Sequence, residues 1–291
     1  MALEARMNVR HLDSSVMPAH SMRIAGSQPT SAWALTAAGT CWFLVAVIGQ
    51  WIFVVYIVAY YGGALVAGDY DKWGKFLTHG LIVGDHLGNL ALAMHLATAA
   101  IVTGLGPLQL VPQLRSRLPR LHRWSGRVYL VTVILVSSSA LYLVWVRNER
   151  VPGDLLQHLG ISLDACLILL CGALALRAAL VRRFTEHRRW AVRLFLAVSG
   201  VWFFRVGLMF WLFVNRGPVG FDPKTFQGPF LDGLSFAESL LPLAVYELYW
   251  RAGARGGVAT RAAAATVVTA ASAAMGIGIF AAFMELWLPN I

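Results

Sequence analysis

Charge is scarce in this chain of 291 residues: Asp, Glu, Lys and Arg together make up 13% of it, against 58% hydrophobic residues. A soluble domain carries about 25% charged residues, so that balance excludes one. Cysteine is scarcer still. Cys41, Cys166 and Cys171 all lie in apolar runs, and there is no C-x-x-C or C-x-x-C-H, which excludes covalent c-type haem attachment at such a motif. The three read as packing residues. No Gly-x-Gly-x-x-Gly fingerprint for a nicotinamide or flavin cofactor is present, so any redox role would draw its electrons from a partner. Ser137-Ser138-Ser139 lacks the companions of a hydrolase triad and reads as serine bonding its own helix backbone. Before Trp33 there is no apolar core followed by a small-residue cleavage site, which predicts a retained first helix rather than a removed signal peptide.

Apolar sequence in long runs is what the chain has most of. About 20 apolar residues cross a bilayer core as a helix. Seven stretches meet that length: Trp33–Tyr61, Leu87–Val111, Trp124–Val146, Leu155–Leu180, Trp190–Val214, Leu234–Trp250 and Ala262–Trp287. The sixth is the shortest and contains Pro242. The expected fold is therefore all-α and polytopic, with residues 1–32 a disordered cytoplasmic tail and 33–291 one membrane domain. The segments Gly62–Asp85 and Asn215–Gly233 are expected to cap the outer mouth of the bundle.

Seventeen of the 24 Lys and Arg residues fall on one side of these spans, six on the other, and Arg205 lies inside one. Positively charged loops stay cytoplasmic, which puts the amino terminus inside and the carboxyl terminus outside. The net charge of +10 follows from the same bias. It points to anionic lipid headgroups as the partner, not to nucleic acid.

Within residues 87–214 the chain repeats itself. His95 is followed by His122-Arg123-Trp124 with Arg127 behind, and His158 by His187-Arg188-Arg189-Trp190 with Arg193 behind. On the seven-span topology His95 and His158 belong to the outer halves of spans two and four. His122 and His187 open spans three and five at the cytoplasmic face. Diagonal helices of a four-helix bundle are able to offer one imidazole each to a single iron, and the repeat supplies the symmetry for two such sites. An ionisable residue as deep as His95 is by default functional. For His122 and His187 the competing reading is interfacial anchoring, since basic and amphipathic side chains favour the headgroup layer; for His158 it is a position near the surface. His79 and His86 read as solvated, with His86 a substitute outer ligand. The sixteen residues from His95 to Val111 amount to ~24 Å of helix, a long gap between two haems unless Pro107 and Pro112 bend the chain there.

Other polar residues in the spans read as structural. Asp164 and Arg205 fall at similar depth and are expected to form a neutralising pair. Arg205 has a second reading as the partner of a haem propionate. Gln109, Glu238 and Glu247 are placed at span edges, with Glu247 pairing locally to Arg251. Gly104, Gly106 and Pro107 form a close-packing and bend element.

The run Gly106-Pro107-Leu108-Gln109, then Arg115 and Arg117, then His122-Arg123-Trp124-Ser125-Gly126-Arg127-Val128-Tyr129, and later His187-Arg188-Arg189-Trp190 with Arg205, resembles a bacterial integral-membrane family, domain of unknown function 2306. The resemblance covers about residues 87–212 and implies a multi-pass protein of the bacterial inner membrane. A likeness of architecture alone links the histidines to the cytochrome b561 group. That likeness implies the axial pairs His95 with His158 and His122 with His187, although here the inner two sit at a span edge. The expected function is a transmembrane b-type cytochrome-like electron carrier, the membrane component of an oxidoreductase, holding one or two haem b groups and exchanging electrons with a redox partner protein or quinone. The alternatives are a haem-free transporter with Asp164 and Arg205 along its path, or a subunit or sensor binding lipid or quinone at the His-Arg-Trp edges.

Overall fold

In the computed structural model, residues 30–76, 80–147 and 153–290 are described. Almost all of the tail assigned to 1–32, and His79, lie outside them. The described residues form helices, with one isolated bridge, Asp222 to Gln227, in the loop after Asn215.

The first apolar run is helix α1, Thr30–Ile57, which continues through a wide turn at Val58–Gly62 into α2, Gly63–Ala67. A short α3, Lys72–Phe76, precedes α4, His86–Leu110, whose start is fixed by Asp85 accepting a hydrogen bond from the Gly88 N–H at 2.9 Å. The turn after α4 is α5, Pro112–Arg117, followed by α6, Pro119–Trp145. Both open on proline, which lacks an N–H that this position would leave unused. Helix α7, Leu155–Leu180, is capped by Asp154 accepting from the Gln157 N–H at 3.1 Å. Then come α8, Phe184–Val198, α9, Gly200–Asn215, α10, Pro229–Arg255, and α11, Val258–Ala282.

The fifth apolar run is not one straight helix. It breaks at Ser199, where α8 and α9 meet at 52°. Ser199 takes its hydroxyl back to the Phe195 carbonyl at 2.7 Å and accepts a hydrogen bond from Gln50 of α1 at 2.8 Å, so the break is held from inside the chain.

Five helices are individually long and apolar enough to cross a membrane: Thr30–Ala67, His86–Leu110, Pro119–Trp145, Leu155–Leu180 and Val258–Asn290. The bent pair α8–α9 makes six. The expected count of seven goes beyond this. Helix α10 has the length, at 27 residues, but carries Asp232, Glu238, Glu247, Arg251 and Arg255 and is not apolar enough to be counted.

Two regions share these helices. In the first, α4 packs on α6, α6 on α7, α7 on α8, and α8 back on α4, giving a closed ring with α4 diagonal to α7 and α6 diagonal to α8. Its core is Val102, Tyr129, Val133, Ile168, Cys171 and Leu194. In the second, α1, α9, α10 and α11 pack on one another, with Phe53, Tyr56, Trp202, Met275 and Trp287 at the centre. Glycine permits its closest approach. A Cβ at Gly278 of α11 would collide with the Val206 carbonyl of α9.

Candidate functional site

The four repeat histidines occupy the two diagonals of the ring, His95 on α4 opposite His158 on α7, and His122 on α6 opposite His187 on α8. His95 Nδ1 lies 3.3 Å from the Val136 carbonyl and 3.3 Å from Ser139 Oγ, both on α6. A carbonyl only accepts, so this contact requires Nδ1 to carry the proton and leaves Nε2 as the basic nitrogen. His187 repeats the arrangement, with Nδ1 2.9 Å from the Ala175 carbonyl of α7. Fixing one ring nitrogen on a backbone carbonyl is how metal-binding imidazoles are commonly oriented.

The other member of each pair keeps a buried ring nitrogen without a hydrogen-bond partner: Nδ1 of His122 and Nε2 of His158. His122 and His187 lie within electrostatic reach of each other, and Arg115 is near His122. The outer two meet α6 at different levels. His95 meets it at Val136 and Ser139, while the ring of His158 packs edge-on against Trp145 at 6.3 Å. Val136 and Trp145 are nine residues apart, about 13 Å along the helix and on opposite faces. His86 is exposed in the first turn of α4.

The tryptophans and arginines of the repeat also match. Arg127 lies over Trp124 at 5.0 Å and Arg193 over Trp190 at 4.6 Å, the same three-residue spacing on the same helix turn. Arg189 covers Trp250 of α10 at 3.7 Å. Arg193 also bonds Glu247 of α10 through Nε at 2.8 Å. That corrects the expected Glu247–Arg251 contact: a partner on a facing helix takes the carboxylate in preference to one a turn away.

The expected Asp164–Arg205 pair is not formed. Arg205 donates to the Val201 carbonyl of its own helix at 3.1 Å and lies over the Phe53 ring at 5.4 Å. Asp164 instead abuts the start of α9, where a Cβ on Gly200 would come within 2.6 Å of Oδ2. A carboxylate at a helix N-terminus meets the positive end of its dipole. Equal depth was the basis of the pairing. Five residues on from Gly200, Arg205 has turned about 140° around the helix.

Glu238, expected at a span edge, is 3% exposed, its Oε1 has no hydrogen-bond partner, and it interacts electrostatically with Asp164 and Arg205. It lines a cavity of about 650 Å³ between α1, α8, α9, α10 and α11. Sequence reasoning missed this cavity because its walls are apolar residues that any packed span would carry. The one available signal was an acid four residues before a proline.

Residues 92–222 match the family described as Predicted membrane protein (DUF2306). No curated protein and no solved structure matches the chain. The DUF2306 region contains most of α4 and all of α5–α9, hence all four ring histidines, Asp164 and Arg205. Helices α1, α10 and α11, and with them Glu238, lie outside it. The chain is thus a multi-pass helical membrane protein of which residues 92–222 match the DUF2306 model, while the cytochrome b561 likeness rests on histidine placement alone.

Proposed function

We propose that the four-helix ring is a transmembrane b-type cytochrome-like electron carrier of the bacterial inner membrane, with His122 and His187 as the axial ligands of a haem b. The observation that carries this reading is the pairing of those two histidines across one diagonal, within electrostatic reach of each other. His187 has Nδ1 committed to the Ala175 carbonyl, and His122 has a buried nitrogen without a partner. A ligand set of two neutral imidazoles suits iron in a low-spin, six-coordinate state. The group would supply one-electron chemistry. The chain would hold it, exclude water and place arginines at the same face.

His95 and His158 are the candidates for a second haem, with Arg205, which interacts electrostatically with His95, as the propionate contact. Their different levels on α6 make this the weaker diagonal. The electron donor and acceptor are a redox partner protein or a quinone, with the arginine-rich face cytoplasmic.

The test is pyridine-haemochrome stoichiometry on the full chain, expressed with haem precursor, for the wild type and for His95→Ala, His122→Ala, His158→Ala and His187→Ala. The wild type should carry haem, and His122→Ala and His187→Ala should each lose the inner group. Haem loss confined to His95→Ala and His158→Ala would move the site to the other diagonal. A colourless wild type with no Soret band after haem addition would overturn the reading.

A further inference from the structure

The cavity beside Glu238 is a site built to accept. Its walls are apolar and aromatic, including Trp42, Phe43, Phe203, Phe210 and Tyr249, and among the described residues Glu238 is the only charged one lining it. The side chain of Glu238 offers a buried Oε1 that no donor reaches. Its backbone adds a second acceptor. Pro242 lies four residues on within α10, so the Glu238 carbonyl loses the N–H that a regular helix would give it. Pro242 lines the same cavity. An acceptor oxygen without a donor and a carbonyl deprived of its regular helix partner therefore belong to the same residue of an apolar wall.

Charge complementarity decides what fits there. A buried carboxylate is costly unless paired, and the cations nearby are otherwise engaged. Arg205 on α9 donates to its own helix, and Arg193 on α8 bonds Glu247. Asp164 on α7 is a second acidic group there, and Arg205, although within electrostatic reach of Glu238, puts no donor on its Oε1. Helix α1 has no Lys, Arg, Asp or Glu, and α11 has only Arg261 in its first turn, which donates to the Ala252 carbonyl. Aromatic faces attract cations, and a cavity of this volume is within the range of small-molecule sites.

We propose that this cavity binds a lipophilic organic cation, an amine or quaternary centre carrying apolar groups, with the charge at Glu238 and the apolar groups against the rings. The inference does not rest on haem. It uses residues of α1, α10 and α11 that the histidine ring does not contain.

The experiment is equilibrium binding of tetraphenylphosphonium to the full-length protein in lipid nanodiscs, with empty nanodiscs subtracted and neutral triphenylphosphine oxide as the comparison. Wild-type protein should bind the cation and prefer it to the neutral compound. Glu238→Gln keeps the shape and removes the charge, and should weaken cation binding by about tenfold or more with little change for the neutral compound. Ala271→Phe, on the α11 wall, takes up cavity space while leaving Glu238 in place, and should abolish binding even if Glu238→Gln fails to fold. Equal binding of both compounds would show a general apolar or acyl-chain site and overturn the proposal, as would unchanged cation binding in Ala271→Phe.

Discussion

The histidine ring and the α1–α9–α10–α11 region are both packed helices, yet they place their polar groups differently. In the ring, the side chains of His95 and His187 are tied to carbonyls of a neighbouring helix, and Val133, Ile168 and Leu194 belong to its buried core. In the other region a carboxyl is buried at a cavity wall with no donor on one oxygen. The first has the character of a preset frame, the second of a receptacle. The difference shows that in a membrane helix the identity of a polar residue says less than what the facing helix offers it.

The sharpest way to break the comparison is to spoil one region's packing while sparing the other. Gly278→Ala sets a methyl against the Val206 carbonyl, which cannot rotate away, and should destabilise the protein by the upper part of the ~1–3 kcal/mol typical of overpacking, read as a lower melting temperature in detergent. Gly276→Ala, two residues earlier with open space around it, should be neutral or stabilising. Similar losses from both would mean that α9 and α11 do not approach as described. Haem retention by the ring should be the same in both variants.

A smaller effect concerns the contact that joins the two regions. Arg193 of α8 and Glu247 of α10 are partly withdrawn from solvent, at 13% and 31% exposure. A double-mutant cycle with Arg193→Gln and Glu247→Gln should give a coupling above the ~0.2–1 kcal/mol of exposed pairs. A coupling near zero would deny the contact. Smallest of all is the effect expected between Asp164 and Arg205. Melting of Asp164→Asn, Arg205→Gln and the double variant should be additive within about 0.5 kcal/mol. Strong non-additivity would restore the pair that equal depth suggested.

Depth and length were legible in the sequence; direction was not. Each expected apolar run overlaps a long helix, although Trp190–Val214 spans two, α8 and α9, and Leu234–Trp250 falls five residues short of α10 at each end. The repeat located all four ring histidines on separate helices and anticipated their diagonals. What failed were pairings that depend on azimuth. Asp164 of α7 meets α9 at Gly200, five residues before Arg205 and on a different side of that helix, and Glu247 finds Arg193 across a helix interface rather than Arg251 along its own. The break at Ser199 was also invisible, since Trp190–Val214 is continuous in hydropathy and contains no proline. It depends on a hydrogen bond from Gln50, about 150 residues earlier in the chain.

That break also sets the breadth of the molecule. Helix α9 is 16 residues long, about 24 Å, and a straight continuation of α8 would carry its far end about 21 Å from where it lies. Upstream of Ser199 the segment closes the ring of histidines and lends Val192, Phe195 and Leu196 to the cavity; downstream it forms a further wall of that cavity. One serine hydroxyl and one glutamine amide therefore act as a hinge pin shared by two rooms, and loosening it would shift the partition between them from both sides at once.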